Sequence, residues 1–393
     1  MLDLSRLLSR LLHSTPTGVD RVEMAYARGL MRTIPGQLHF AGLHPNGTYG
    51  RLNGRAVRRF LDRTEADWSD VGQARRARLW LHAARAVLAL HPRRVPAKRE
   101  GVSRIYLQAS PHHLDNEARV AAILRRERAR FVCLVHDLIP IEFPEYVRAG
   151  GDKLHRRRIA TLVRHADGIV ANSAATLDSF RPFAAAAERP IMLRVAHLGF
   201  PDEGAEEPAA PRGGPPYFVC IGTIEPRKNH LLLLNVWRRM VETCGGNAIP
   251  KLILVGRRGW ENEQVVDMLE RCPALRGHVE ERGRLPDREV RRLLAGARAL
   301  LLPSFAEGFG MPVSEALAMG TPVICSDLPA LREAGGSTPL YLDPLDGIAW
   351  MRAIANASAE PVAERRAPVS TVPLPTWSEH LAIVLDLVHR LAT

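Results

Sequence analysis

Short uninterrupted apolar runs alternate with stretches of helical periodicity along most of the chain. SRIYLQ (103–108), FVCLVH (131–136), GIVAN (168–172) and residues 192–197 read as strands in the first half. YFVCIG (217–222), KLILVG (251–256), residues 278–283, ALLLP (299–303) and PVIC (322–325) read as strands in the second. Runs that are apolar throughout, rather than alternating, suit strands covered on both faces. Between them lie helical patterns such as HLLLLNVWRRMVE (230–242) and DREVRRLLAGA (287–297). Strand and helix in alternation predict parallel sheets of the doubly wound α/β class, with ligand sites at strand carboxyl ends. The Pro-, Gly- and Glu-rich PDEGAEEPAAPRGGPP (201–216) predicts a linker between domains at 1–200 and 217–375. A second loose stretch covers 357–375. The segment 376–393 then predicts a terminal helix with Leu381, Val384, Leu385, Val388 and Leu391 on one face, packing back towards the N-terminal domain. Residues 51–100 depart from the alternation and read as helical and studded with arginine.

Composition narrows the picture. No apolar run of about 18 residues occurs, so a membrane-spanning helix is not expected. The N-terminal stretch is mildly amphipathic and lacks the layout of a signal peptide. Five cysteines (133, 220, 244, 272 and 325) form no C-x-x-C pair, and Cys133, Cys220 and Cys325 sit in strand-like runs. They read as free thiols in a reducing compartment, hence a cytoplasmic location. The net charge of +12 is uneven: residues 1–200 hold 33 Lys+Arg against 18 Asp+Glu, whereas residues 201–393 hold 21 against 24. A basic first half suits an anionic partner such as a membrane surface, although arginine outnumbers lysine fifty to four and usage alone accounts for part of it.

Two stretches carry candidate chemistry. In FAEGFGMPVSEALAMGTPV (305–323) a strand ends in a glycine-rich loop, Pro312 suits the first turn of a helix, and Gly320 with Pro322 stops it. Glu307 on the loop and Glu315, expected on the first helical turn, are eight residues apart. The first can accept hydrogen bonds from sugar hydroxyls, and the second suits a ribose diol. In CIGTIEPRKNHLLLL (220–234) the cations Arg227 and Lys228 sit in a turn after a strand, where they can meet a diphosphate. Neither a G-x-G-x-x-G fingerprint nor a Walker A loop is present there.

Taken in order, EGFGMPVSE, GTIEPRKN, LVGRRGW, ERGRLPDREVRRLLAGA, LPALREAGG and LYLDPLD, with TGVDRVEMAYARGL, VHDLIPIEFPEY and GIVANSAATLDSF upstream, resemble the retaining GT-B glycosyltransferases of the family-4 type. The resemblance covers nearly the whole chain except 51–100 and the linker. It implies two Rossmann-like domains facing a cleft. It also implies a donor site in which Glu307 contacts the donor sugar with backbone amides around Phe309, Gly310 and Met311. Glu315 holds the ribose, and Arg227 and Lys228 with Gly222 receive the leaving diphosphate. His136 reaches the donor sugar, Gly18 lets a first-domain loop approach it, and Ser173 assists at a helix start. Thr223 stands where many relatives have an arginine, which Arg227 is expected to replace.

No Asp-x-Asp occurs, so the expectation is transfer without metal or other cofactor, the diphosphate charge being met by cations and helix-start amides. Retention without a protein nucleophile implies front-face displacement. GDP-mannose is the first expected donor, with UDP-glucose and dTDP-rhamnose left open because no residue discriminates the base. The expected acceptor is a glycan, carried on a polyprenyl diphosphate at the inner face of the plasma membrane, in bacterial polysaccharide or O-antigen assembly. A sugar-nucleotide 2-epimerase of the same fold is the alternative, separable by products formed from donor alone. Nucleic-acid binding is suggested by charge only, without interleaved aromatics or a motif, and is not expected. His112 and His113 lack partner spacing for a metal and are expected to line the acceptor side or face solvent.

Overall fold

The computed structural model describes residues 1–13, 15–69, 75–93, 103–200, 215–244, 249–283, 285–359 and 374–393. The linker expected at 201–216 and the loose stretch at 357–375 lie mostly outside them. The chain divides into two units: Met1–Ile141 with Asp152–Asp202 and Pro375–Thr393, and Glu142–Gly151 with Glu203–Leu374. The ten residues Glu142–Gly151 thus belong with the second unit although they fall within the first half of the sequence.

The first unit is built on a seven-stranded sheet: β1 Leu2–Asp3, β2 Phe40–Leu43, β3 Tyr49–Leu52, β4 Arg104–Gln108, β5 Ala129–Val135, β6 Gly168–Ala171 and β7 Met192–Val195. Their order is β3-β2-β1-β4-β5-β6-β7, parallel throughout except for β3, which runs antiparallel to β2. The amphipathic N-terminus is therefore a central strand. Leu2 and Asp3 are fully buried, and the helix Ser5–Ser9 that follows buries Leu7 and Leu8. A two-residue strand is too short to show a period. The hairpin β2–β3 also went unread, and Arg51 and Leu52 belong to it rather than to a helix. Its turn carries Asn46-Gly47, with Gly47 at φ +86° and the His44 backbone bonded to Thr48. That dipeptide is a known hairpin signal. The rest of 51–93 is helical as expected, over Gly54–Ser69 and Arg75–Ala89.

The second unit holds six parallel strands: β8 Tyr217–Ile221, β9 Lys251–Val255, β10 Val279–Glu281, β11 Leu300–Leu302, β12 Val323–Ser326 and β13 Leu340–Leu342. Their order is β10-β9-β8-β11-β12-β13. The core packs Phe218, Leu233, Trp237, Leu252, Leu254, Leu301 and Trp350. Winding reverses between β8 and β11 here, and between β1 and β4 in the first unit. Such switch points leave a crevice at the strand carboxyl ends.

The terminal helix Trp377–Ala392 belongs to the first unit. Its buried face is His380, Leu381, Val384, Leu387 and Leu391, so Leu387 and His380 take the places expected of Leu385 and Val388. The helix lies very close to its neighbours: a Cβ on Gly29 would fall 2.0 Å from Leu381, and one on Gly168 would fall 3.1 Å from Leu387.

Candidate functional site

Three loops meet at the switch point of the second sheet. After β8 the chain passes Gly222, forms a single 3-10 turn over Pro226–Lys228, and enters the helix His230–Cys244 through Asn229 at φ +52°. Backbone bonds fasten this turn to its neighbours. Ile224 donates to Arg257 O and receives Gly259 N–H, both at 2.9 Å, after β9, while Phe305 N–H reaches Arg227 O at 2.8 Å after β11. Gly222 has φ +153°, and a Cβ there would approach Lys228 Cε to 3.2 Å. The loop after β11 ends at Gly310, left-handed at φ +97°, where a Cβ would lie 2.4 Å from Leu331. Only glycine fits that conformation without strain. Phe309 is buried beneath the loop, and Met311 opens the helix Met311–Ala318. Glu315 is the fifth residue of that helix, one position beyond its first turn, and not within it as expected.

The charged residues of these loops bind one another. Glu307 Oε1 accepts from Lys228 Nζ at 2.5 Å and from Ser304 Oγ at 2.6 Å, and Oε2 accepts from Arg227 at 2.8 Å. Arg227 also bridges to Glu225 at 2.6 Å and to Ala306 O at 2.9 Å. The side chains of Glu307 and Lys228 are only 7% and 9% exposed. Burial pushes the Glu307 carboxyl up, but the charges of Lys228 and Arg227 outweigh it and bring it down to about 2. Two cations thus face two carboxylates. A carboxylate offers about four lone-pair sites. Three are used here, and Oε2 retains room for one hydroxyl donor. Lys228 Nζ has two further N–H groups beyond its bond to Glu307. The cluster is a clamp whose cations are held in place by Glu307, so Glu307 orients the cations as well as offering an acceptor of its own. Ser304 was missed in the sequence; its place, three residues before Glu307 at a strand end, was the available signal.

A second missed feature is aromatic. Tyr146, in the segment Glu142–Gly151, stacks on Phe305 with ring centroids 5.5 Å apart and planes at 10°. Trp260 Nε1–H donates to Tyr146 O at 3.3 Å, and the Arg148 guanidinium lies 5.2 Å over the Trp260 ring. This packing supports Phe305, two residues before Glu307. An aromatic pair contributes about 1 kcal/mol beyond its burial. Tyr146→Ala is expected to destabilise the second unit by at least that amount, read as a lower urea midpoint, with Tyr146→Phe close to the parent. Equal midpoints for both variants would remove the stack from the support of the loop.

In the first unit, His136 follows β5. Its Nε2 donates to Ala109 O at 2.8 Å, while its own carbonyl accepts from Asn172 at 2.8 Å. Burial lowers its pKa, so the ring is neutral. Ser173 caps the helix Ala174–Ala185, accepting from Thr176 N–H at 2.9 Å. Gly18 opens the helix Gly18–Thr33 behind a capping box of Thr17 and Asp20. Arg6 ties that box together, reaching Asp20 at 2.7 Å and Thr17 at 3.1 Å. The Asn172 and Ala109 bonds draw the loops after β4, β5 and β6 together. At the switch point between β1 and β4 lies a buried polar group that sequence patterns did not reveal. Asp3 accepts from Ser5 N–H at 2.9 Å and from Tyr106 O–H at 3.1 Å, and Tyr106 also meets His113 at 3.1 Å. Glu23 accepts from Leu7 N–H at 3.0 Å, and burial followed by the charge of Asp3 pushes it up to about 8. His113 is buried rather than solvent-facing, and burial with His113 beside it brings His112 down to about 4. No cluster of three or more metal-ligating side chains occurs among the described residues.

The family described as "Glycosyl transferases group 1" matches residues 215–360, which include the charged clamp and the helix that follows it. O-antigen chain mannosyltransferase B of Escherichia coli is 40% identical over 131 residues, 33% of each chain. O-antigen chain mannosyltransferase RfbU of Salmonella typhimurium is 33% identical over 156 residues, 38% of this chain and 40% of the relative. The chain spans about a third of the length of the curated relatives it matches. In three dimensions, Anabaena Alr3699/HepE solved with UDP and glucose aligns over 100% of this chain and 98% of its own, with a TM-score of 0.61 at 14% identity. A sucrose-phosphate synthase from Thermosynechococcus elongatus aligns over 73% of each chain with a TM-score of 0.56 at 20% identity. The chain has the GT-B fold, and residues 215–360, in its second unit, are similar to the glycosyl transferases group 1 family.

Proposed function

We propose that this protein is a retaining, metal-independent mannosyltransferase that moves a hexose from GDP-mannose to a glycan acceptor carried on a lipid diphosphate in O-antigen assembly. The observation that carries the reading is the clamp of Arg227 and Lys228, held by Glu307 at the switch point of the second sheet. A buried and a half-buried cation preorganised at a strand end favour charge that develops on a departing diphosphate. The O-antigen mannosyltransferases among the relatives support the choice of sugar and pathway.

In this reading the bond from the sugar C1 to the diphosphate oxygen breaks first, through an oxocarbenium-like state. The leaving oxygen collects negative charge beside Lys228 and Arg227. The acceptor hydroxyl forms the new C1–O bond on the same face and passes its proton to that leaving oxygen, so atoms and charge balance without a protein nucleophile. Glu307 holds both cations in register, and its remaining lone pair accepts from a sugar hydroxyl. Glu315, beyond the anionic end, accepts from the ribose diol.

A thermal-shift panel of nucleoside diphosphates and sugar nucleotides, run with excess chelator, tests the donor site. Binding to the native state alone raises the melting point, by about 2.7 kcal/mol of stability at a hundredfold excess over Kd. A selective shift with GDP and GDP-mannose, lost in Glu315→Ala, is the expected result. A shift selective for UDP would overturn the donor, and no shift with any nucleotide would overturn the enzyme.

A further inference from the structure

Three near-parallel rings lead from the loop that bears Glu307 to the surface. Phe305, two residues before Glu307, stacks on Tyr146 with centroids 5.5 Å apart and planes at 10°. Tyr146 stacks in turn on Phe143, at 5.9 Å and 23°. All three rings belong to the second unit. The contact between Phe143 and Tyr146 is local in origin. Pro144–Tyr146 forms a single 3-10 turn, and residues three apart eclipse in that geometry, so the two side chains lie one above the other. Pro144 restricts the backbone of Phe143, and Tyr146 N–H closes the turn on Phe143 O at 3.0 Å. Phe143 is nevertheless 36% exposed, and among the described residues it is the one exposed phenylalanine. An aromatic ring held in place at the surface suits a ligand, because little freedom is lost when the ligand arrives.

We propose that the exposed face of Phe143 is a platform for a pyranose ring of the glycan acceptor. A pyranose has faces of C–H groups whose hydrogens, polarised by the neighbouring oxygens, complement the negative face of an aromatic ring. Its hydroxyls need acceptors around that ring. Glu142 and Glu145 flank the Phe143-Pro144 pair in sequence, and both are exposed. Burial, followed by the charge of Glu145, raises the pKa of the Tyr146 hydroxyl, which puts that carboxylate beside the stack. Ionised carboxylates only accept, so both acids are suited to hydroxyl donors. Charge narrows the occupant further. The one cation of the segment Glu142–Gly151 is Arg148, and its guanidinium lies 5.2 Å over the Trp260 ring. A phosphate or an anionic lipid at Phe143 would meet two carboxylates, whereas a neutral sugar offers them hydroxyls. The stack also ties the platform to the clamp, since Phe305 N–H donates to Arg227 O at 2.8 Å. The inference rests on the reading of the protein as a glycosyltransferase and adds a place where a glycan ring is held.

The test is saturation-transfer NMR and titration of the full chain with α-linked mannotriose, standing in for a mannose-bearing acceptor, with and without GDP. The parent is expected to transfer saturation to the ring C–H protons of the saccharide, with an affinity insensitive to salt because the ligand is neutral. Phe143→Ala and Phe143→Leu are expected to weaken binding at least about fivefold, the scale of one aromatic stack, with Phe143→Tyr close to the parent. Leucine keeps apolar area without a π face, so it separates stacking from burial. Nucleotide-induced thermal shifts should be equal in all four proteins. Binding by Phe143→Leu as tight as by the parent would overturn the platform. So would a parent that shows no transfer in either condition. Loss of the GDP shift in Phe143→Ala would overturn it too, by assigning the ring to the nucleotide base. The enzyme reading fails on a different result, a parent with no nucleotide shift at all, so the two failures are told apart.

Discussion

Replacing Glu307 by alanine is expected to destabilise the second unit by about 3–5 kcal/mol, the usual cost of removing one partner from a buried ion cluster. The loss follows from Lys228, whose side chain is 9% exposed and would lose the carboxylate it meets among the described residues. Glu307→Gln separates charge from shape. Glu307 titrates near 2 in the folded chain and near 4.5 as an ordinary carboxyl. Its ionised form therefore stabilises the fold above about pH 4.5, and that contribution is lost as pH falls towards 2, on the order of 3 kcal/mol over the window. Urea midpoints of the parent measured between pH 5 and 2 should fall more steeply than those of Glu307→Gln. Parallel curves would show that the carboxylate is not held by the cations. The same clamp governs transfer. Lys228→Met should reduce turnover by about 10²–10³-fold, the scale for removing one group that meets developing charge, with a smaller change in KM. A change confined to KM would place Lys228 in binding alone.

Removal of the terminal helix is expected to have the larger effect on folding. Truncation before Thr376 strips His380, Leu381, Val384, Leu387 and Leu391 from the first unit. Each buried aliphatic truncation costs about 2–5 kcal/mol, so the unit should lose cooperative unfolding altogether, read as loss of near-ultraviolet circular dichroism. Leu387→Ala alone should cost about 3 kcal/mol. His380 adds a pH dependence of its own. Its Nδ1 donates to His197 O at 2.9 Å, which leaves Nε2 to accept from Tyr26 O–H at 2.7 Å. Burial brings its pKa down to about 4. The unfolded histidine takes its proton near 6.5 and the folded one near 4, so stability is full above about 6.5 and declines as pH falls through that interval. Replacing His380 by glutamine should flatten that decline between pH 6.5 and 4. An unchanged slope would assign the dependence to other groups.

Legibility followed the size of the local signal. KLILVG and ALLLP declared themselves because four or five consecutive apolar residues between helical patterns admit few readings. β1 did not, because two residues cannot carry a period and its place at the centre of the sheet comes from β2 and β4 on either side. Glu307, Arg227 and Lys228 were legible as chemistry. Their direct pairing was not, because Lys228 and Glu307 are 79 residues apart and meet only when β8 and β11 become neighbours. Glu315 was placed in the first turn, one position too early, because helix starts shift by a residue or two with the φ of a single glycine, here Gly310.

Periodicity and turn residues, which act over a few residues, were enough to determine two doubly wound sheets, the loops that bear the charged residues and a terminal amphipathic helix. Tertiary structure decided which face of that helix is buried, because Gly29 and Gly168 leave space for Leu381 and Leu387. It also decided that Tyr146 supports a loop of the second unit and that the buried Glu23 lies within reach of the charge of Asp3 at the switch point of the first sheet. Those outcomes depend on contacts between residues far apart in the chain, whose energies exist only after the strands have been ordered side by side.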